Sequence, residues 1–198
     1  MRRLPNLFVI GAMKSGTTSL CEYIGTHPDI FMCDVKEPMH FSREENWSQG
    51  DQGYLALFSR ARDQAYLAEG STEYSKRPFR SGVATRLYEF NPHARLVYVV
   101  RDPFERVISQ YKHMVRTGVE TRRLSEAVAR PSDYVTNSYY AYQLQPYLEL
   151  FGSQAVYVDV FESLITHPYE FCRRLFRWLG VRESFVPSNL HRAYYVSP

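Results

Sequence analysis

Along the chain, short apolar runs alternate with stretches in which apolar residues recur every three or four positions. Leu7-Phe8-Val9-Ile10 and the runs at 65–68, 96–100 and 155–160 read as strands, and 29–33 as a short extended segment. The run 96–100 is unbroken and largely β-branched, as in a strand buried on both faces of a parallel sheet. Helical spacing appears at 17–26, where Leu20, Tyr23 and Ile24 share one face, at 83–90, at 138–151 and at 168–179. Each of these has a stop signal: His27-Pro28, Asn91-Pro92, Gly152 and Gly180. Shorter helices are predicted at 53–58 and 124–129, while Pro38 keeps the stretch Lys36-Glu37-Pro38-Met39-His40-Phe41 irregular. The alternation predicts an α/β fold in which a parallel sheet carries helices on both faces. No repeat, low-complexity tract or linker divides the sequence, so residues 1–198 are expected to form a single domain.

Composition narrows the function classes. A chain of 198 residues with 44% hydrophobic and 23% charged residues can bury a sizeable core, which excludes a disordered chain. The formal charge of +3, with basic and acidic residues interspersed, argues against a nucleic-acid partner of the basic-stripe type but leaves room for a local anion pocket. No apolar run is long enough to span a bilayer, and Met1-Arg2-Arg3-Leu4-Pro5 leads directly into the first strand, so a cytoplasmic location is expected. Cys21, Cys33 and Cys172 form no Cys-x-x-Cys pair, which fits reduced structural thiols and gives no metal site.

Two stretches carry candidate chemistry. After the first strand, Gly11-Ala12-Met13-Lys14-Ser15-Gly16-Thr17-Thr18 is a polar loop running into a helix. A helix start presents backbone N–H groups without intrahelical partners and the positive end of the helix dipole, so an anion is its natural occupant, and Lys14 adds a full charge. The same residues would also suit an ordinary strand-turn-helix connection with a solvated lysine. They depart from the nucleotide-triphosphatase loop, in which Gly-Lys-Ser/Thr closes the motif, because Lys14 precedes Ser15-Gly16-Thr17-Thr18. The second stretch is 96–100 followed by Arg101-Asp102-Pro103. Asp102 is an N-cap and Pro103 a first helical residue, which puts Arg101 at the carboxyl end of a strand, where open α/β sheets bind ligands. Ser109 follows on the predicted helix.

Lys14-Ser15-Gly16-Thr17-Thr18 after a strand, with Arg101-Asp102-Pro103 and Ser109 downstream, resembles the sulfotransferases that use 3′-phosphoadenosine 5′-phosphosulfate (PAPS), in particular the heparan-sulfate-type and bacterial carbohydrate enzymes. The Tyr-rich helix, the strand at 155–160 and the closing Phe176-Arg177-Trp178-Leu179-Gly180 resemble the back half of the same family. The resemblance implies a P-loop-type parallel sheet and transfer of a sulfuryl group to a hydroxyl of a carbohydrate or small-molecule acceptor, with adenosine 3′,5′-bisphosphate (PAP) as product. It implies that Lys14, Ser15, Gly16, Thr17 and Thr18 hold the 5′-phosphosulfate and that Arg101 and Ser109 hold the 3′-phosphate. Arginine suits that task because its planar fork pairs with phosphate oxygens. Lys14 would also stabilise the departing phosphate, with no metal required. Glu37, in Lys36-Glu37-Pro38, resembles the family's general base, with His40 as the second candidate; the opposing reading of Glu37 is a surface carboxylate paired with Lys36. A glutamate of ordinary pKa, about 4.3, is a weak base toward an alcohol.

The sequence departs from the family in three places, the first being Lys36-Glu37-Pro38-Met39-His40-Phe41, where Met39 or His40 is displaced relative to the family's histidine. Glu69-Gly70-Ser71 has glycine where several relatives place a lysine near the transferred group, leaving Glu69 either in the acceptor site or structural. Relatives also continue past the last helix into a basic, glycine-containing loop that closes over the 3′-phosphate and adenine, whereas this sequence ends Ala193-Tyr194-Tyr195-Val196-Ser197-Pro198. The expectation is a domain lacking that loop, with apolar surface exposed near 168–179 and a homo-oligomer formed through it. The alternatives to a sulfotransferase are a P-loop kinase of small molecules and a non-catalytic nucleotide-binding module. His113, one helical turn past Ser109, is a further residue that could face the cofactor.

Overall fold

In the computed structural model, which describes residues 3–129, 132–190, Arg192 and Tyr194, every residue of strand β1 (Leu7–Gly11) is buried. Alternation along the strand explains why both its faces must be apolar. Leu7 and Val9 pack in one core with Leu20, Tyr23 and Ile24 of α1 (Thr17–Ile24) and with Phe171, Leu175 and Phe176 of α10 (Pro168–Leu179). Phe8 and Ile10 pack in a second core with Leu87 of α4 (Val83–Phe90) and with Leu144 and Tyr147 of α8 (Tyr140–Phe151). Strand β4 (Arg95–Val100) divides in the same way: Val97 and Val99 join the first core, Leu96 and Tyr98 the second. The expected α/β sheet with helices on both faces is therefore present.

With β2 (Ile30–Met32), β3 (Tyr66–Gly70) and β5 (Val156–Val160), the sheet has the order β2-β3-β1-β4-β5, and every pairing is parallel. The chain leaves β1 toward one side for β2 and β3 and crosses to the other side for β4 and β5. That reversal makes the carboxyl end of β1 a topological switch point, flanked by the ends of β3 and β4.

The remaining elements are α2 (Glu44–Trp47), α3 (Asp51–Ala56), a 3₁₀ turn at Thr72–Ser75, α5 (Pro103–Arg116), α6 (Leu124–Ala127), α7 (Asp133–Thr136) and α9 (Phe161–Thr166). The helix expected at 53–58 runs over Asp51–Ala56, and that expected at 138–151 starts at Tyr140 and tolerates Pro146 inside it. The sequence reading did not anticipate α2, α7 or α9, which are too short to show a helical period. Asp102 caps α5 as expected, its side chain accepting from the Glu105 N–H at 2.9 Å with Pro103 in the first turn. Helix α5 buries polar residues: the fully buried Arg106 donates to Ser138 Oγ at 2.6 Å, to Gln110 Oε1 at 2.8 Å and to the Tyr134 carbonyl, which fastens α5 to α7.

The apolar stripe of α10 is covered: Phe171, Cys172, Leu175, Phe176 and Leu179 are buried, and Val181, Phe185, Leu190 and Tyr194 pack on the same core. Among the described residues the segment after Gly180 covers the apolar stripe of this helix, while Tyr169 on it and Ile165 and Val186 beside it stay exposed. Residues 193 and 195–198, on which the expectation of a missing closing loop bears, lie outside the described residues. No helix among the described residues is long and apolar enough to cross a membrane.

Candidate active site

The loop after β1 is shaped by contact with α9. Gly16, with φ of +76°, is the residue before α1, and a Cβ there would stand 2.8 Å from the Phe161 ring. Only glycine fits both that backbone conformation and that approach. Among the described residues no side chain caps the first turn of α1, so its N–H groups face the loop without an acceptor of that kind there. The Ser15 side chain is fully buried and, among the described residues, its Oγ has no hydrogen-bond partner. A buried hydroxyl left over beside an uncapped helix start is a polar site in want of a ligand.

Arg101, at the end of β4, reaches back to this loop. Its Nη1 donates to the Lys14 carbonyl at 3.1 Å, its guanidinium lies 4.7 Å from the centre of the Phe161 ring, and Glu105 is 3.6 Å away. The Tyr140 hydroxyl donates to the Arg101 carbonyl at 2.7 Å, which fixes the backbone there. Lys14 and Arg101 are thus brought together, although they stand 87 positions apart. Burial holds the Lys14 ammonium below its usual pKa, and the charges of Arg116, Arg101 and Lys36 lower it further. His113 is lowered by burial and then by Lys14, Arg116 and Lys36. Several cations converge on one loop, the electrostatics of a site for a multiply charged anion. Ser109 lies on the buried side of α5 and makes no hydrogen bond to Arg101 or to the loop among the described residues.

The opposite wall comes from the stretch after β2. A cleft is lined by Thr17 and Thr18 of α1, Cys21, Lys36, Glu37 and Gly70. Glu37 is half-buried, with its N–H bonded to the Gly70 carbonyl at 3.2 Å and its Oε1 accepting from Thr72 Oγ1 at 3.1 Å. Thr17, Thr18, Lys36 and Glu37 therefore line one cleft, and the charge of Lys36, which also acts on Lys14, connects it to the β1 loop. His40 is elsewhere: it is buried, stacks on Tyr54 at 4.3 Å between ring centres and is bonded through Nε2 to Asp51 at 2.8 Å. The sequence placed Glu37 and His40 side by side, but the turn between them carries the imidazole into the aromatic core.

Glu69 is a structural residue rather than an acceptor-site one. It is fully buried and accepts from Tyr74 Oη at 2.6 Å, Ser71 Oγ at 2.8 Å and Tyr54 Oη at 3.2 Å. Burial pushes its carboxyl up to about 7, against the pull of these three hydroxyls. Gly70 has a packing reason, since a Cβ there would stand 2.6 Å from Cys21 Sγ. Phe161, Thr72 and Arg116 were not anticipated from the sequence; for Phe161 the only signal was its spacing to Leu164, and for Thr72 there was none. No group of three or more His, Cys, Asp or Glu among the described residues is placed to hold a metal ion.

The sequence profile of the Sulfotransferase family matches residues 43–184. The crystal structure of a sulfotransferase from Alicyclobacillus acidocaldarius superposes with a TM-score of 0.84 at 30% identity, covering 99% of this chain and 87% of that one. A mouse sulfotransferase complexed with PAP shares the fold, with a TM-score of 0.61 at 15% identity over 91% of this chain and 60% of that one. Human heparan sulfate glucosamine 3-O-sulfotransferase 5 is 24% identical over 204 aligned residues, which cover 96% of this chain and 58% of that enzyme. The chain thus spans less than two thirds of this curated relative. Profile and fold agree: the chain belongs to the sulfotransferase family.

Proposed function

We propose that this chain transfers a sulfuryl group from PAPS to a hydroxyl of a carbohydrate or small-molecule acceptor. The observation that carries the reading is the convergence on the β1 loop: Arg101 bonded to the Lys14 carbonyl, and the orphaned Ser15 hydroxyl beside the uncapped start of α1. These donors fit a phosphosulfate, which supplies a sulfur centre with a good leaving group, and Arg101 with Ser109 forms the 3′-phosphate subsite. Lys14, Ser15, Gly16, Thr17 and Thr18 surround the 5′ end, where Lys14 neutralises charge developing on the departing phosphate oxygen. Transfer of this type has a loose transition state, so positioning and fixed charge contribute most of the acceleration.

Glu37 is the base in this reading. Thr72 holds its Oε1, leaving Oε2 for the acceptor hydroxyl; as the acceptor oxygen bonds to sulfur and the sulfur–oxygen bond to the 5′-phosphate breaks, the proton passes to Glu37. His40, occupied by Asp51 and buried under Tyr54, is set aside. The three free cysteines fit a reducing, cytoplasmic setting. In this reading the donor-binding residues and the base belong to a single sulfotransferase domain. The test is sulfuryl transfer from radiolabelled PAPS to a panel of saccharides and simple alcohols. Glu37→Gln should keep PAP affinity and lower turnover by roughly 10²–10⁴-fold. Near-normal turnover in that variant would remove Glu37 from the role.

A further inference from the structure

The segment carrying Glu37 is held in an unfavourable shape. Glu37 and Met39, either side of Pro38, have φ of +54° and +57°, a region that non-glycine residues rarely adopt. Such a turn persists only when its surroundings hold it. Here the hold is residue by residue on 69–72, the end of β3 and the start of the 3₁₀ turn. The Glu37 N–H bonds to the Gly70 carbonyl at 3.2 Å, the Met39 N–H to Ser71 Oγ at 3.1 Å, and Thr72 Oγ1 donates to the Glu37 carboxylate at 3.1 Å. The Ser71 hydroxyl has one proton, and it is committed to Glu69 Oε2 at 2.8 Å. Its lone pairs therefore face the Met39 N–H, and the direction of the whole relay is set by the buried carboxylate. Glu69 itself is fixed by hydroxyls from two other elements, Tyr54 of α3 and Tyr74 of the 3₁₀ turn. Around it also stand the thiols of Cys21 on α1 and Cys33 after β2, and the Glu37 carboxylate.

We propose that Ser71, oriented by the buried carboxylate of Glu69, is a positioning residue for Glu37: it locks the Met39 N–H and so sets where the base carboxylate sits. The inference rests on the sulfuryl-transfer reading above and adds a residue that touches neither donor nor acceptor. A relay of this kind acts on placement and leaves the phosphate loop alone. Donor binding should be untouched while turnover falls, because a shift of the base by an ångström is enough to lower the rate by about 10²-fold.

The experiment compares wild type, Ser71→Ala and Ser71→Thr. PAP affinity is measured by calorimetry, turnover as PAP released from PAPS in the presence of a heparan oligosaccharide, and loop order as hydrogen exchange at the Met39 and Glu37 amides. The expected result is that Ser71→Ala keeps PAP affinity and the KM for PAPS within about twofold, loses about tenfold or more in kcat, and exchanges both amides faster. Ser71→Thr, which retains the hydroxyl, should restore kcat. Unchanged exchange at Met39, or turnover of Ser71→Ala within about twofold of wild type, would overturn the proposal and leave the proposed function standing. Wild type that binds no PAP and releases none from PAPS would overturn both.

Discussion

Glu69→Gln removes the one fully buried carboxylate beneath the site and keeps its shape. In the native protein burial raises the Glu69 carboxyl from 4.5 to about 7, so the folded state holds its proton more tightly than the unfolded chain. Below the unfolded value both states are protonated and the group costs nothing. As pH rises from there through about 7, the unfolded chain ionises freely while the folded one must place a charge among Tyr54, Tyr74 and Ser71. Stability tied to this group is thus present at low pH and lost as pH rises. At about 1.4 kcal/mol per pH unit, the gap between 4.5 and 7 corresponds to about 3 kcal/mol. Glutamine does not titrate, and the other ionisable groups are common to both proteins, so they cancel in the difference. Urea unfolding of the two proteins across the window from about pH 4 to about pH 8 should show wild type losing about 3 kcal/mol relative to Glu69→Gln as pH rises. A stability difference that stays constant over that window would refute the account of Glu69 as a carboxylate strained by burial.

Two further outcomes follow from the loop. Gly16→Ala forces a side chain into φ of +76° and against the Phe161 ring at 2.8 Å, which should lower stability by about 1–3 kcal/mol and weaken PAP binding, with Phe161→Ala in the same protein recovering part of the loss. The Lys14 ammonium, lowered by burial and by Arg116, Arg101 and Lys36, should regain protons when an anion is bound; PAP affinity should then fall as pH rises through the free protein's Lys14 transition, and calorimetry in buffers of different ionisation enthalpy should register proton uptake.

The parts of the site legible in the sequence are those written by local physics. The strand at β1, the stop at Gly11 and the helix start at Thr17 follow from periodicity, and Asp102-Pro103 is a helix start by composition alone, so sequence pattern puts Lys14 and Arg101 just beyond strand ends. Sequence pattern did not show what each side chain meets across the fold. Nothing in the local pattern marks Arg106 as buried, yet it is fully buried, because Ser138, Gln110 and the Tyr134 carbonyl satisfy it. His40 and Glu37 share one short stretch with positive φ at Glu37 and Met39, yet Glu37 lines the cleft while His40 is buried against Tyr54. Helix α9 is six residues long, too short for a period to declare itself, and yet it supplies the ring against which Gly16 and Arg101 both pack. The Glu69–Ser71–Met39 relay joins β3 to a loop over 30 positions away, and nothing local to either stretch announces it.

The central claim, a PAPS site built on the β1 loop and Arg101, is tested most directly by calorimetric titration of PAP and of adenosine 5′-monophosphate into wild type and Arg101→Ala. The two nucleotides differ only in the 3′-phosphate, and a charge-assisted contact to it contributes about 1.5–3 kcal/mol. Wild type should therefore bind PAP about tenfold to about 10²-fold more tightly than the monophosphate, and Arg101→Ala should erase most of that preference. Equal affinity of wild type for the two nucleotides would contradict the account.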